Sequence, residues 1–212
     1  MTRVAVVDYG MGNRRSAEKA LAHVGADVSV TSDHDALRAA DGLLLPGVGA
    51  FEAGMVNLRA LGLDELLRER VAAGAPVLGV CLGMQLAFDS STEHGGAEGL
   101  GIVPGRVDLL DAGDLKLPHI GWNLVTFERE SPLREGLPPR CAFYHVHSYA
   151  PRPADEADVV GRSEYGAPFV SVVERGSFRG VQFHPEKSST HGLHLLANFV
   201  AVCAQAPAPA SR

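Results

Sequence analysis

Gly79-Val80-Cys81-Leu82-Gly83-Met84-Gln85 follows directly on the apolar run Ala75-Pro76-Val77-Leu78. The stretch is a G-x-C-x-G elbow, the thiol form of the G-x-S-x-G turn, in which a strand breaks sharply into a helix and presents its nucleophile at the bend. The glycines two residues either side lack Cβ atoms, so strand and helix can approach closely. A second segment, Gly180-Val181-Gln182-Phe183-His184-Pro185-Glu186-Lys187-Ser188, supplies a histidine and a carboxylate two positions on. Nucleophile, base and orienting acid are then available at the ends of two apolar strands.

Outward from the elbow, the first half alternates strand and helix. Val4-Ala5-Val6-Val7, Val28-Ser29-Val30, Leu43-Leu44-Leu45 and the run into Cys81 read as strands. Residues 16–24 and 53–70 carry helical spacing. Strands apolar on both faces and joined by helices imply a parallel sheet covered on both sides. Active sites in such sheets lie beyond the strand C-termini, where Cys81 falls. The second half changes character. Residues 102–103, 107–110, 124–127, 142–148, 169–173 and 180–183 are strand-like and separated by turn residues, and are read as mixed or antiparallel strands on the same sheet. Residues 192–204 close as a helix. The expectation is one three-layer α/β domain over residues 1–204, with a central, mostly parallel sheet flanked by helices and further mixed or antiparallel strands. A small, Pro-interrupted disordered tail follows at 205–212.

Bulk properties narrow the class. A chain of 212 residues suffices for one domain with a real core. A formal charge of -6 without a basic tract argues against nucleic acid. Cysteines at 81, 141 and 203 show neither a disulfide framework nor a zinc spacing, which suits a reducing compartment. No signal peptide is read before the first strand, and no apolar run approaches the roughly 20 residues that span a bilayer. The expected location is the cytoplasm, with no membrane partner.

A thiol attacks well as thiolate, which a helix N-terminus and a nearby protonated imidazole both favour. Cys81 has these features if His184 comes close, and Glu186 would then accept the other imidazole N–H, as in a triad. Cys141 and Cys203, in apolar settings, read as small core residues. Acyl transfer also needs an oxyanion hole. One donor would be the N–H of Leu82, and the second would come from Leu45-Pro46-Gly47-Val48-Gly49-Ala50-Phe51, where two glycines permit a backbone flip at Val48 and Gly49. Gly10-Met11-Gly12-Asn13 is not a dinucleotide fingerprint, because Arg15 stands at the third glycine position. Gly95-Gly96-Ala97-Glu98-Gly99-Leu100-Gly101 lacks the ending of a phosphate cradle and reads as a mobile loop. His191 and His194 have no third ligand, so neither metal nor cofactor is expected. His145 and His147 are expected on opposite sides of the sheet.

These motifs together resemble the class I glutamine amidotransferases, and among them the glutaminase subunits of imidazole glycerol phosphate synthase in histidine biosynthesis. Residues 79–85 and His184-Pro185-Glu186 carry the broad resemblance. Asp8-Tyr9-Gly10-Met11-Gly12-Asn13, Pro46-Gly47-Val48-Gly49-Ala50-Phe51, Pro118-His119-Ile120-Gly121-Trp122-Asn123 and Val146-His147-Ser148-Tyr149 carry the narrower one. The resemblance implies Cys81 as nucleophile, His184 as base and Glu186 as its orienter. It implies glutamine held by Gly49, Gln85 and the backbone around Ser148 and Tyr149. It further implies a heterodimer with a (β/α)8-barrel cyclase that receives the ammonia, with Asn13, Trp122, Tyr144 and Lys187 at the interface. His145 departs from the family, which usually has Phe beside that tyrosine, and this bears on interface packing. Two rivals are an amidotransferase subunit for another acceptor, such as chorismate or a purine nucleotide, and a non-catalytic scaffold of the same fold. Lys187 and residues 118–123 argue against the first, and the intact triad against the second.

Overall fold

The computed structural model describes residues 1–206. The chain runs β1 (Arg3–Val7), α1 (Arg14–His23), β2 (Asp27–Thr31), α2 (His34–Ala39), β3 (Gly42–Leu45), α3 (Phe51–Ala60), α4 (Leu63–Ala72), β4 (Val77–Val80) and α5 (Leu82–Gln85). It continues through β5 (Phe88–Ser91), β6 (Ala97–Glu98), β7 (Val103–Leu109), β8 (His119–Phe127), β9 (Arg140–His147), β10 (Tyr149–Pro153), β11 (Val159–Tyr165), β12 (Ala167–Arg175), β13 (Phe178–Val181) and α6 (Ser189–Gln205).

Nine strands form one sheet in the order β2-β1-β3-β4-β13-β12-β11-β8-β9. The half from β2 to β13 is parallel, and the half from β13 to β9 is antiparallel. On one face Val4, Val6, Leu44, Leu78 and Val80 pack against Leu21 of α1 and Leu195 and Phe199 of α6. On the other, Ala5, Val7, Leu43, Leu45 and Val77 meet Leu37, Leu58 and Leu66 of the helices α2, α3 and α4. Helix α6 lays its apolar stripe on the sheet because Leu195, Leu196, Phe199, Val200 and Cys203 recur at helical spacing. Cutting the fully buried Phe199 to Ala costs about 3–5 kcal/mol. Among the described residues no helix is long and apolar enough to cross a membrane.

Five expectations are corrected. Residues 53–70 do not form one helix, because the chain turns at Gly62, whose φ of 65° starts α4 afresh. Val103 of the first segment and residues 107–109 of the second belong to one strand, β7, which passes through Gly105 at φ +128°. A Cβ there would sit 2.3 Å from the Arg152 carbonyl of β10, so the glycine marks a close strand approach rather than a turn. Moreover β7 lies in a second, four-stranded sheet, β10-β7-β5-β6, instead of extending the first. His145 and His147 share one face, as residues two apart on a strand must, and both are buried. Helix α6 also reaches Gln205, the first residue of the stretch read as a tail, and residues 207–212 of that stretch lie outside the described residues.

Candidate active site

Cys81 bridges β4 and α5 at φ 54°, ψ -112°, backbone that a non-glycine residue rarely adopts. The flanking glycines make the bend possible. A Cβ on Gly83 would lie 1.9 Å from the Leu45 carbonyl oxygen, and one on Gly79 would lie 2.7 Å from that of Gly83. The amides of Met84 and Gln85 bond back to the Cys81 carbonyl at 3.0 and 3.1 Å. The Leu82 N–H heads the helix, where no intrahelical carbonyl reaches.

His184 arrives from β13. Its amide donates to the Tyr144 carbonyl of β9 at 2.9 Å, and Pro185–Lys187 then make one 3-10 turn. That turn sets Glu186 Oε1 2.8 Å from His184 Nδ1, with side chains only 3 % and 6 % exposed. Nε2 of His184 is buried without a hydrogen-bond partner among the described residues. Burial alone would lower the His184 pKa, but its interactions with Cys81 and Glu186 outweigh it and push the ring up to about 10. The structure therefore brings Cys81, His184 and Glu186 together at the ends of β4 and β13.

Cys81 opens on a cleft of about 430 Å³. Val48, Gly49, Leu82, Gln85, Ser148 and Tyr149, all anticipated, line it, as do Glu93, His94, Pro118, Val146 and His147, which were not. The two glycines of the loop at 46–49 differ in role. A Cβ on Gly47 would meet Leu82 Cβ at 2.7 Å and the Gly83 amide nitrogen at 2.8 Å, so this residue is pinned against the elbow. Gly49 has φ +120° and would meet only the end of the Met11 side chain. The buried Tyr9 hydroxyl donates to the Pro46 carbonyl at 2.7 Å, and a Cβ on Gly12 would come within 3.1 Å of the Gly47 nitrogen. The Gly10-Met11-Gly12 turn thus supports this loop.

Trp122 and Tyr144 face each other across β8 and β9, their rings 6.3 Å apart and edge-on. Lys187 Nζ lies 5.9 Å from the Tyr144 ring centre. Ile120, Trp122 and Leu124 are exposed at alternate positions of β8 and so share one apolar face, a patch that Tyr144 extends onto β9. Asn13 stands apart in kind: its side chain caps α1, accepting from the Ser16 amide at 3.3 Å. His145 does not reach the patch. It points inward, with Nδ1 on the Phe143 carbonyl and Nε2 3.4 Å from Ser171 Oγ. It stacks with His119, whose ring also lies against Tyr165 and His147. Burial lowers the pKa of all three histidines, that of His147 to about 3, so they are neutral. Gln182, fully buried beside Cys81, was also missed in the sequence.

A sheet that presents a thiol at a strained elbow, with an imidazole and a carboxylate at the next strand end, has the layout of the elbow amide hydrolases. The glutamine amidotransferase class-I family matches residues 5–203. Imidazole glycerol phosphate synthase subunit HisH of Moorella thermoacetica is 49 % identical over 199 residues, 94 % of each chain. The HisH of Aquifex aeolicus is 50 % identical over 198 residues, 93 % of this chain and 95 % of its own. Among solved structures, PurLQS from Thermotoga maritima superposes with a TM-score of 0.74 at 19 % identity, covering 95 % of this chain and 98 % of its own. A structure titled glutamine amidotransferase gives 0.73 at 20 %, covering 95 % and 98 %. The chain belongs to the class I glutamine amidotransferases, within the family of imidazole glycerol phosphate synthase HisH subunits.

Proposed function

We propose that this chain is the glutaminase subunit of imidazole glycerol phosphate synthase, working in the cytoplasm. It hydrolyses the side-chain amide of glutamine and passes the ammonia to a (β/α)8-barrel cyclase subunit, which makes imidazole glycerol phosphate and aminoimidazole carboxamide ribonucleotide for histidine biosynthesis. The observation that carries the reading is the buried His184–Glu186 pair at 2.8 Å, with the free imidazole nitrogen left for Cys81.

The Cys81 thiolate attacks the amide carbon, and the carbonyl oxygen becomes an oxyanion. Leu82 N–H and the loop at Val48 and Gly49 receive that charge, each donor contributing about 3 kcal/mol to the transition state. The resting His184 proton is held tightly, in part by the charge on Cys81. Acylation removes that charge, so His184 becomes a stronger acid as the leaving nitrogen needs its proton. Ammonia departs, and a thioester remains. His184, now neutral, takes a proton from water as the water attacks the thioester, and glutamate leaves with thiolate and imidazolium restored. Gln85, Ser148 and Tyr149 line the substrate cleft, and the Glu93 carboxylate there provides a negative charge for the ammonium of the amino acid.

Cys81→Ser tests the proposal in the complex with the cyclase. Glutamine-dependent synthesis should fall below a few per cent of the parent, because a hydroxyl is far less acidic than a thiol, while synthesis from added ammonium salts persists. Substantial glutamine-dependent turnover in this variant would remove Cys81 from the mechanism.

A further inference from the structure

Gln182 takes no part in the mechanism above, yet both ends of its side-chain amide are engaged in a fully buried site. Nε2 lies 3.6 Å from Cys81 Sγ, an ordinary N–H···S separation. Oε1 accepts from Gln85 Nε2 at 3.0 Å. Gln85 gives its other amide hydrogen to the Tyr149 carbonyl at 2.9 Å. That carbonyl also lies 2.9 Å from His147 Nδ1. His147 Nε2 lies 3.0 Å from His119 Nδ1, and His119 Nε2 lies 3.3 Å from Asn123 Nδ2.

One placement of hydrogens satisfies every link. Asn123 donates to His119, His119 to His147, and His147 to the Tyr149 carbonyl. Gln85 donates to that carbonyl and to Gln182, which leaves the Gln182 N–H for sulfur. The placement requires hydrogen on Nδ1 of both imidazoles, each in the neutral form that burial favours. Reversing the Gln182 amide would face its NH2 with that of Gln85, so the donor is locked toward Cys81.

We infer that Gln182 is a positioning residue for the nucleophile: its amide N–H, held in one orientation by the chain from Asn123 through Gln85, donates to the Cys81 sulfur and favours the thiolate. The inference rests on Cys81 being the nucleophile. A donor on sulfur stabilises the charged form, whereas the Val146 carbonyl, 3.8 Å from Sγ, accepts only from the thiol. The other titratable groups acting at this sulfur are His184, with Glu186 behind it, and Tyr9, two residues past the end of β1, whose pKa burial and Cys81 both raise.

The test is the pH dependence of Cys81 alkylation by iodoacetamide on the full chain, with the modified peptide followed by mass spectrometry. Cys141 and Cys203, pushed up by burial to about 11 and about 12, stay distinct as separate peptides. Gln182→Met keeps the volume and removes the donor. It should move the midpoint up by about one pH unit, the size of one hydrogen bond to a charged group, and slow alkylation about tenfold below both midpoints. Gln85→Met leaves the donor but frees its anchor, and should give a smaller rise in the same direction. A profile superimposable on the parent in folded Gln182→Met overturns the inference. If that variant does not fold, an unchanged profile in Gln85→Met overturns it. Failure of the nucleophile reading is separate, because it would show as glutaminase activity surviving in Cys81→Ser.

Discussion

Replacing Glu186 by Gln keeps the shape of the turn and removes one charge. In the parent, a carboxylate oxygen sits 2.8 Å from His184 Nδ1 with both side chains almost wholly enclosed, so water screens the pair little. A hydrogen bond to a charged group is worth about 1.5–3 kcal/mol. That energy favours the thiolate–imidazolium pair over neutral thiol and imidazole, so its loss shrinks the fraction of reactive thiolate. The expected fall in kcat is about 10–150-fold. If the amide turns its NH2 toward Nδ1, the ring proton moves to Nε2 and the loss deepens, because that tautomer cannot act as base toward Cys81. His184→Ala removes the base and should cost more than either. The assay is glutamine hydrolysis by the complex with liganded cyclase, over a range of glutamine and of pH. KM should stay near the parent value, and the alkaline limit set by the raised His184 should shift to lower pH. A Glu186→Gln enzyme with parental kcat would exclude Glu186 from the triad.

Gly49→Pro demands φ near -65° where the chain has +120° and deletes a backbone donor, so partner-stimulated glutaminase should fall about 10²–10³-fold while Cys81 still alkylates; full stimulation in this variant would refute the loop's role. Trp122→Ala, on the exposed patch, should weaken cyclase binding about 30-fold or more in a calorimetric titration and leave the melting temperature of the free chain unchanged; undiminished affinity would place the interface elsewhere. His147 is lowered to about 3 by burial, against roughly 6.5 when unfolded. The unfolded chain therefore binds the extra proton between these values, so the stability that neutral His147 contributes is complete above about 6.5 and falls as pH drops toward 3, by up to about 1.4 kcal/mol per unit. Urea unfolding at roughly pH 5 and pH 7 should show this loss in the parent and less of it in His147→Gln; equal slopes would contradict it.

What the sequence discloses follows from how far apart the cooperating residues lie. The elbow is legible because Gly79, Cys81 and Gly83 act within one turn of chain, and Glu186 because a proline turn brings i and i+2 together. Strands β3 and β4 are legible because they are apolar on both faces. Gln182 and Gln85 meet only through the pairing of β13 beside β4, 97 positions apart in sequence, and no local pattern announces that contact. The same holds for His119 and His147, joined by the register of β8 with β9, and for Glu93, whose Oε2 accepts from the Phe51 amide at the start of α3. Strands β10 and β11 hold Pro, Gly and charged residues where an apolar alternation would have revealed them.

The base side of the site is built and the oxyanion side is adjustable, and the bonding around each explains why. Tyr144 accepts the His184 amide at 2.9 Å, its own amide donates to Ser188 Oγ at 2.9 Å, and that hydroxyl donates to the His184 carbonyl at 2.6 Å. These three bonds fasten the turn carrying His184 and Glu186 to β9, the strand whose outward Tyr144 ring belongs to the exposed patch. On the other side, Tyr9 and the elbow hold Pro46 and Gly47, and the constraint ends there. Val48 is 41 % exposed, and Gly49 occupies backbone space that only glycine adopts cheaply. A partner that changes the rate therefore has little to gain from moving His184 and Glu186, whose mutual hydrogen bond is already made. The peptide between Val48 and Gly49 is where a change of orientation would cost least, and a partner could bring it about only by binding the new orientation more tightly than the present one.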